Sequence, residues 1–309
     1  MVKSKEQLTD RNKAQNVIGF CEFMRMGSFQ WRGQRSIAKA TFFLLFGTPD
    51  VHTRLRSAYV LNEIERLDMP VGAKVVEGGF GRGIVLLGLA KRHPDWHLIG
   101  FELDPIMAES ARRIVERGKR VTNVVIVEGA IEELDASNSY DLIILVDVLE
   151  HINDDVRLIK GLIRALRPGG YLVLHVPKPR HEHWRFLPVF RSHDVQDILR
   201  SGEGVRQTRI CGHVREGYGY EDLCQLADTV GARIVNLQET IGVWGEVSFE
   251  LNQIFWKHPI LRYLWALFTY PIAVIIGYLE ILSNPSSGNS FLVTLQKTQP
   301  EKGFISGNI

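Results

Sequence analysis

Glu77, Gly79, Gly81 and Gly83 in VVEGGFGRG, with Glu102 at the end of HLIGFELD, are the residues whose types and spacing could do chemistry. Glycines are needed where a backbone turns sharply and must approach a ligand with no Cβ in the way. A glycine turn between a strand and a helix most often cradles a dinucleotide through GxGxxG. Here the pattern is instead acid-x-Gly-x-Gly-x-Gly, and an anionic side chain at the head of the turn suits a cationic ligand better than a pyrophosphate. Glu102 follows the glycines by about twenty residues, a placement suited to accepting hydrogen bonds from a ribose diol. Its plainer alternative is an exposed acid at a strand end. Together the two acids suggest a nucleoside that carries positive charge.

These residues need a scaffold that brings strand ends to one edge. From Lys74 the chain alternates strands and helices: AKVVEGG and IVLLGLAKR, HLIGFELD and IMAESARRIVERG, NVVIVEGA, YDLIILVDVL and DDVRLIKGLIRAL, then GYLVLHVP. Several strands are near-continuous apolar runs, as expected when helices cover both faces. The fold class is therefore α/β, a Rossmann-like doubly wound sheet of seven mainly parallel strands. Residues 35–46 and 53–67 have helical spacing and precede the first strand, which predicts N-terminal helices that cover the ligand site. A helix near 219–230, a strand near 231–240 and a last strand at 290–297 complete the pattern, the last two separated by a hydrophobic helical insertion. The expected organisation is an N-terminal extension or cap (1–70), a core (71–243), the insertion (244–285) and the last core strand with its tail (286–309).

The pieces VVEGGFGRG, GFELDP, VEGAIEEL, YDLIILVDVLEH and LRPGGYLVLHVP, in this order and spacing, resemble the class I S-adenosylmethionine-dependent methyltransferases of small-molecule, lipid or glycan type. The resemblance runs from about Lys74 to Pro177 and more weakly to Lys297. It implies S-adenosyl-L-methionine as cofactor, with Glu77 near the methionine amino end and the Gly79–Gly83 turn along methionine and ribose. Glu102 would take the ribose hydroxyls, Leu103 would flank the adenine, and Asp147 would border the donor site. Where the family often has an Asp for the adenine amino group, this chain has Ala130, which leaves adenine to backbone groups near Ala130 and Ile131.

A sulfonium donor is already activated, so alignment and exclusion of water do much of the work. A base is needed only if the acceptor must lose a proton. His151 in VDVLEHINDD, just past the fourth strand, is the first candidate, and His213 in GHVREGYGYEDL the second. Asp147, Glu150 and His151 also spell D-x-x-E-H, similar to a divalent-cation motif in some quinone-pathway and small-RNA methyltransferases; the metal-free reading is preferred. Arg215 could hold an acceptor carboxylate or phosphate, or simply pair with a nearby acid to pin its loop.

The bulk properties narrow the partners. A formal charge of +2 over 309 residues argues against a dedicated nucleic-acid binder. The excess is local: Met1–Lys39 holds eight Lys/Arg against three acids, read as a solvated or loosely docked extension, with anionic headgroups as the alternative. Cys21, Cys211 and Cys224 lack CxxC spacing, and the start lacks an apolar signal region, so a cytoplasmic protein, peripheral to a membrane through 244–283, is expected. The apolar run 263–279 is short for a span. If the last strand rejoins the sheet, the insertion must return to the side it left, so it is read as a lid, a membrane-interface segment, a homodimer interface or a private hydrophobic subcore. The expected activity is methyl transfer to a small apolar or lipid-like acceptor at oxygen. The rivals are a non-catalytic scaffold on the same fold, a nucleic-acid methyltransferase and a nucleotide-dependent oxidoreductase.

Overall fold

The computed structural model describes residues 17–34, 36–118, 121–179, 186, 214–253 and 261–298. Its frame is a seven-stranded sheet: β1 (Lys74–Gly78), β2 (His97–Glu102), β3 (Val124–Glu128), β4 (Tyr140–Val146), β5 (Leu166–Pro177), β6 (Ala232–Thr240) and β7 (Ser290–Lys297). The order is β3-β2-β1-β4-β5-β7-β6. Only β7 runs against its neighbours, pairing antiparallel with β5 on one side and β6 on the other. The order reverses between β1 and β4, and an open α/β sheet binds its ligand in the crevice at such a reversal, beyond the carboxyl ends of the strands.

Helices cover both faces, which is why the central strands are apolar throughout; Val75, Val76, Leu142, Ile143 and Ile144 are fully buried. The helices, in chain order, are α1 (Phe20–Met24), α2 (Ile37–Phe46), α3 (Val51–Ile64), α4 (Ile84–Arg92), α5 (Pro105–Arg117), α6 (Asp155–Ala165), α7 (Tyr220–Val230), α8 (Val243–Gln253) and α9 (Leu261–Ser283). The helix expected over 53–67 begins at Val51 because Asp50 caps it, accepting from the Thr53 N–H at 3.3 Å and the Thr53 hydroxyl at 2.6 Å.

One feature departs from expectation. The extension is firmly docked from residue 17 onward, with Ile18 and Phe23 fully buried. Its clamp is Arg54 of α3, also fully buried, whose guanidinium donates to the carbonyls of Thr48 (2.7 Å), Phe23 (2.5 Å) and Met24 (2.6 Å), and to Phe46 and the Tyr270 hydroxyl. One side chain thus ties α1, α2 and α9 to α3. A polar residue in TRLRS that gives no signal in sequence is the hub of the cap, because a planar fork of donors can satisfy several loop carbonyls at once.

The insertion forms α8 and α9, and both pack inward. Ala273, Val274 and Ile281 are buried, and Glu280, fully enclosed, accepts from the N–H groups of Gly242 (2.5 Å) and Gly245 (3.0 Å) at the start of α8 and from the Tyr59 hydroxyl (2.8 Å). A carboxylate at a helix start satisfies N–H groups that have no partner within the helix. The insertion does return to the sheet as expected, since β7 lies between β5 and β6. Among the described residues no helix is long and apolar enough to cross a membrane.

Candidate active site

The glycine turn sits at the carboxyl end of β1. Gly79, Gly81 and Gly83 all have positive φ (62°, 52° and 67°), a backbone state that side-chain-bearing residues adopt at a cost. The reasons differ along the turn. A Cβ on Gly79 would lie 2.5 Å from Cγ2 of Val148, so here the turn presses against the segment after β4. A Cβ on Gly81 would meet nothing within 4 Å, so here the backbone faces open space among the described residues.

Glu102 holds this turn in place. One of its oxygens accepts from the Gly81 N–H at 2.6 Å and the other from the Asp104 N–H at 2.9 Å. The expected ribose acceptor therefore has a structural task as well, while each oxygen keeps a further lone pair. Leu103 beside it is exposed, Ala130 precedes a single 3-10 turn, and Ile131 is buried where a Cβ on Gly78 would strike it at 2.7 Å. These residues, dispersed in sequence, lie at or just after the carboxyl ends of β1, β2 and β3.

Glu77 is enclosed below the turn. Burial pushes its carboxyl up to about 8, the Leu86 N–H pulling the other way and the Glu102 charge adding to the rise. One of its oxygens, Oε2, is buried with no hydrogen-bond partner among the described residues. Such an orphaned acceptor normally costs free energy, and a cationic ligand would satisfy it.

A polar chain runs across the ends of β4, β5 and β6. Asp147, with φ 51°, follows β4; its Oδ1 lies 2.6 Å from Nδ1 of His175 on β5, and its Oδ2 is paired with Arg56 of α3. His175 Nε2 in turn lies 3.1 Å from the Thr240 hydroxyl at the end of β6. Burial opposes ionisation of Asp147, but Arg56 and His175 outweigh it and hold the carboxyl well below the usual carboxylate range. Asp147 thus spends both its oxygens within the protein. That counts against its ligating a metal through D-x-x-E-H, and among the described residues no His, Cys, Asp and Glu cluster could hold one.

Glu150 lies close by. Burial and the neighbouring Asp147 charge push its carboxyl up to about 8, and its Oε2 has no partner among the described residues. His151 ends the same 3-10 turn, Leu149–His151, and is half-buried. His213 lies outside the described residues. Arg215 pairs with Asp155 at 3.1 Å and stacks over the Tyr218 ring, which is the loop-pinning alternative rather than an acceptor clamp.

The N-terminal segment reaches the glycine turn: Gln30 donates to the Arg82 carbonyl at 3.3 Å, and Gly33 abuts Ser110 and Ile114 of α5. Arg56, His175 and Thr240 were not legible as site residues. The only hint in the sequence is a histidine within the apolar run LVLHVP.

Two carboxyls held neutral by burial make a pH prediction. Their folded values near 8 exceed the ordinary glutamate value of 4.5, so the stability each contributes is fully present below about 4.5 and is lost as pH rises through about 8. The melting temperature of the ligand-free protein should fall from pH 6 to 9, and a Glu77→Gln/Glu150→Gln double variant should flatten that slope. A wild-type melting temperature that is level across this range would contradict the assignment.

A family described as a methyltransferase domain matches residues 52–237. A ubiquinone biosynthesis O-methyltransferase of Acinetobacter baylyi is 24% identical over 198 residues, covering 53% of this chain and 82% of that protein. Another of the same name, from Vibrio vulnificus, is 26% identical over 185 residues, covering 55% and 75%. The uncharacterized methyltransferase YdaC of Bacillus subtilis is 35% identical over 109 residues, 35% of this chain, which spans 58% of that relative's length. Among solved structures, phosphoethanolamine N-methyltransferase 2 of Haemonchus contortus in complex with S-adenosyl-L-methionine superposes with a TM-score of 0.53 at 18% identity, covering 92% of this chain and 61% of that one. The [4+2]-cyclase SpnF gives 0.51 at 17%, covering 79% and 82%. The likeness to the solved structures establishes the fold alone, which here is shared with a cyclase.

Fold and family match together define the class: an S-adenosylmethionine-dependent methyltransferase domain of class I. The chain belongs to the methyltransferase domain family.

Proposed function

We propose that the chain transfers a methyl group from S-adenosyl-L-methionine to a small apolar or lipid-like acceptor, at oxygen, in the cytoplasm. The observation that carries the donor half is the crevice floor: a buried carboxyl with an unsatisfied oxygen, at Glu77, beneath a glycine turn that leaves room over Gly81. Glu77 and the Gly79–Gly83 turn would hold the methionine end, Glu102 the ribose, and Leu103, Ala130 and Ile131 the adenine. The O-methyltransferase relatives and the apolar cap support the acceptor half.

The bound donor supplies an electrophilic methyl group on a positively charged sulfur. What this chain adds is position, dryness and a proton acceptor. The chain Arg56–Asp147–His175–Thr240 ties α3 to the ends of β4, β5 and β6 and fixes Asp147 in its left-handed state, which sets the turn that presents Glu150 and His151. The N-terminal segment, whose Gln30 reaches the glycine turn, would shield the donor from water, which otherwise competes as nucleophile. An acceptor hydroxyl must give up its proton as it is methylated, and His151 would take it. His is the side chain whose ordinary pKa allows this near neutral pH.

The test uses methyl-labelled donor with a phenolic lipid extract and follows label into extractable product. The wild type should label an oxygen-methylated lipid, and His151→Ala should cut turnover by about a hundredfold while donor affinity holds. Label on nitrogen or on protein would refute the acceptor class, and unchanged turnover would remove His151 from the reaction.

A further inference from the structure

Two buried acceptor oxygens flank the glycine turn. The first, Oε2 of Glu77 on β1, is the unsatisfied carboxyl oxygen already described. The second is Oε1 of Gln30, on the 3-10 turn Ser28–Gly33 between α1 and α2. Gln30 is 4% exposed, and its Oε1 has no hydrogen-bond partner among the described residues. The other end of the same amide is committed, since Nε2 donates to the Arg82 carbonyl at 3.3 Å. That bond fixes which way the amide faces, because a flipped amide would set its oxygen against the carbonyl oxygen. The orphaned oxygen therefore stands beside the Gly79–Gly83 turn.

Packing at both ends holds this side chain in place. Gly27, with φ 73°, precedes the 3-10 turn, and a Cβ there would lie 3.3 Å from Cδ1 of Ile84, the first residue of α4. At the other end a Cβ on Gly33 would lie 2.8 Å from the Ser110 hydroxyl of α5. The 3-10 turn is thus pinned against the two helices that follow the strands bearing Glu77 and Glu102. A buried amide oxygen without a donor costs free energy, and an apolar side chain of similar size would avoid that cost. The oxygen therefore calls for a ligand that brings a donor. Glu102 does not compete for it, because its oxygens already accept from the N–H groups of Gly81 and Asp104. An ammonium carries three N–H groups and needs several acceptors, which a carboxyl and an amide oxygen at the same turn can supply together; a hydroxyl, with its single O–H, would satisfy only one of the two.

We infer that Gln30 is a further donor-binding residue, whose side-chain oxygen accepts from the ammonium of the donor's amino-acid end while its Nε2 holds the glycine turn through the Arg82 carbonyl. The inference rests on the donor half of the proposed function. It gives the N-terminal segment a part in recognising the donor as well as in covering it.

The test is calorimetric titration of the full chain, wild type and Gln30→Met, with S-adenosylmethionine and with methylthioadenosine, which keeps adenine, ribose and sulfur but lacks the amino-acid end. Gln30→Met should bind S-adenosylmethionine about tenfold or more weakly, the scale of a hydrogen bond to a charged group, and methylthioadenosine as the wild type does. Gln30→Glu, which keeps an acceptor oxygen, should recover most of the lost affinity. Equal weakening of both ligands would overturn the inference, since Gln30 would then only shape the turn through Arg82 or meet the ribose. Unchanged affinity of Gln30→Met for S-adenosylmethionine would overturn it too. Absence of binding by the folded wild type would instead refute the donor reading on which the inference rests.

Discussion

Gly81→Asn will lose donor affinity by about a hundredfold or more, on the scale of the several kcal/mol an overfilled site costs, while the protein stays folded. The two halves of this expectation come from one measurement of space. A Cβ added at Gly81 meets no heavy atom within 4 Å, so the new side chain enters the empty crevice without displacing described parts of the protein. Asn tolerates the φ of 52° better than most residues, so the conformational cost is about 1 kcal/mol and the melting temperature should move by only about 2–4 °C. The neighbouring Gly79 makes the contrast. There the added Cβ lies 2.5 Å from Val148, so Gly79→Asn should damage folding as well as binding. Calorimetric titration with S-adenosylmethionine, paired with thermal melting of the same samples, separates the two. Retained affinity in a folded Gly81→Asn protein would move the donor elsewhere.

Arg54→Met will destabilise the protein by about 3–5 kcal/mol, the largest stability effect expected of a single substitution in the cap. The methionine fills a similar volume, so packing is roughly kept. What is lost is the charged donor to three main-chain carbonyls, at Thr48, Phe23 and Met24, besides contacts to Phe46 and Tyr270; Thr48 keeps the Tyr270 hydroxyl and Phe23 the Met26 N–H, so charge-assisted bonds worth about 1.5–3 kcal/mol each carry most of the loss. Each buried acceptor left unsatisfied costs about 1–3 kcal/mol, partly relieved by water entering the loosened cap. Arg54→Lys should recover only a fraction, because a point ammonium cannot span carbonyls from separate segments. Chemical denaturation of the two variants checks this. A loss below about 1 kcal/mol would mean that the cap is held by its apolar contacts alone.

How far the sequence spoke for itself depended on whether a residue's role was local. The glycine turn was legible because Gly79, Gly81 and Gly83 answer a demand for positive φ that few other residues meet. The strand alternation was legible because burial on both faces writes apolar runs such as LIILV. The place of β7 followed from a topological constraint on where the insertion could go. In contrast, Arg56 reaches Asp147 across 91 residues, and Asp147 meets His175 across 28. No periodicity announces such pairs. The metal alternative for D-x-x-E-H arose for the same reason: spacing brings Asp147 near Glu150 and His151, while the partners that occupy its oxygens come from α3 and β5. Arg54 gave no signal because the carbonyls it serves carry no mark in sequence.

The most direct test of the account is calorimetric titration of the purified full chain with S-adenosylmethionine and with its demethylated product, using NAD as the control. The account predicts that both bind at one site per chain, that Gly81→Asn abolishes the heat, and that NAD gives none. Binding of NAD, or no heat from S-adenosylmethionine with a protein shown to be folded, would contradict it.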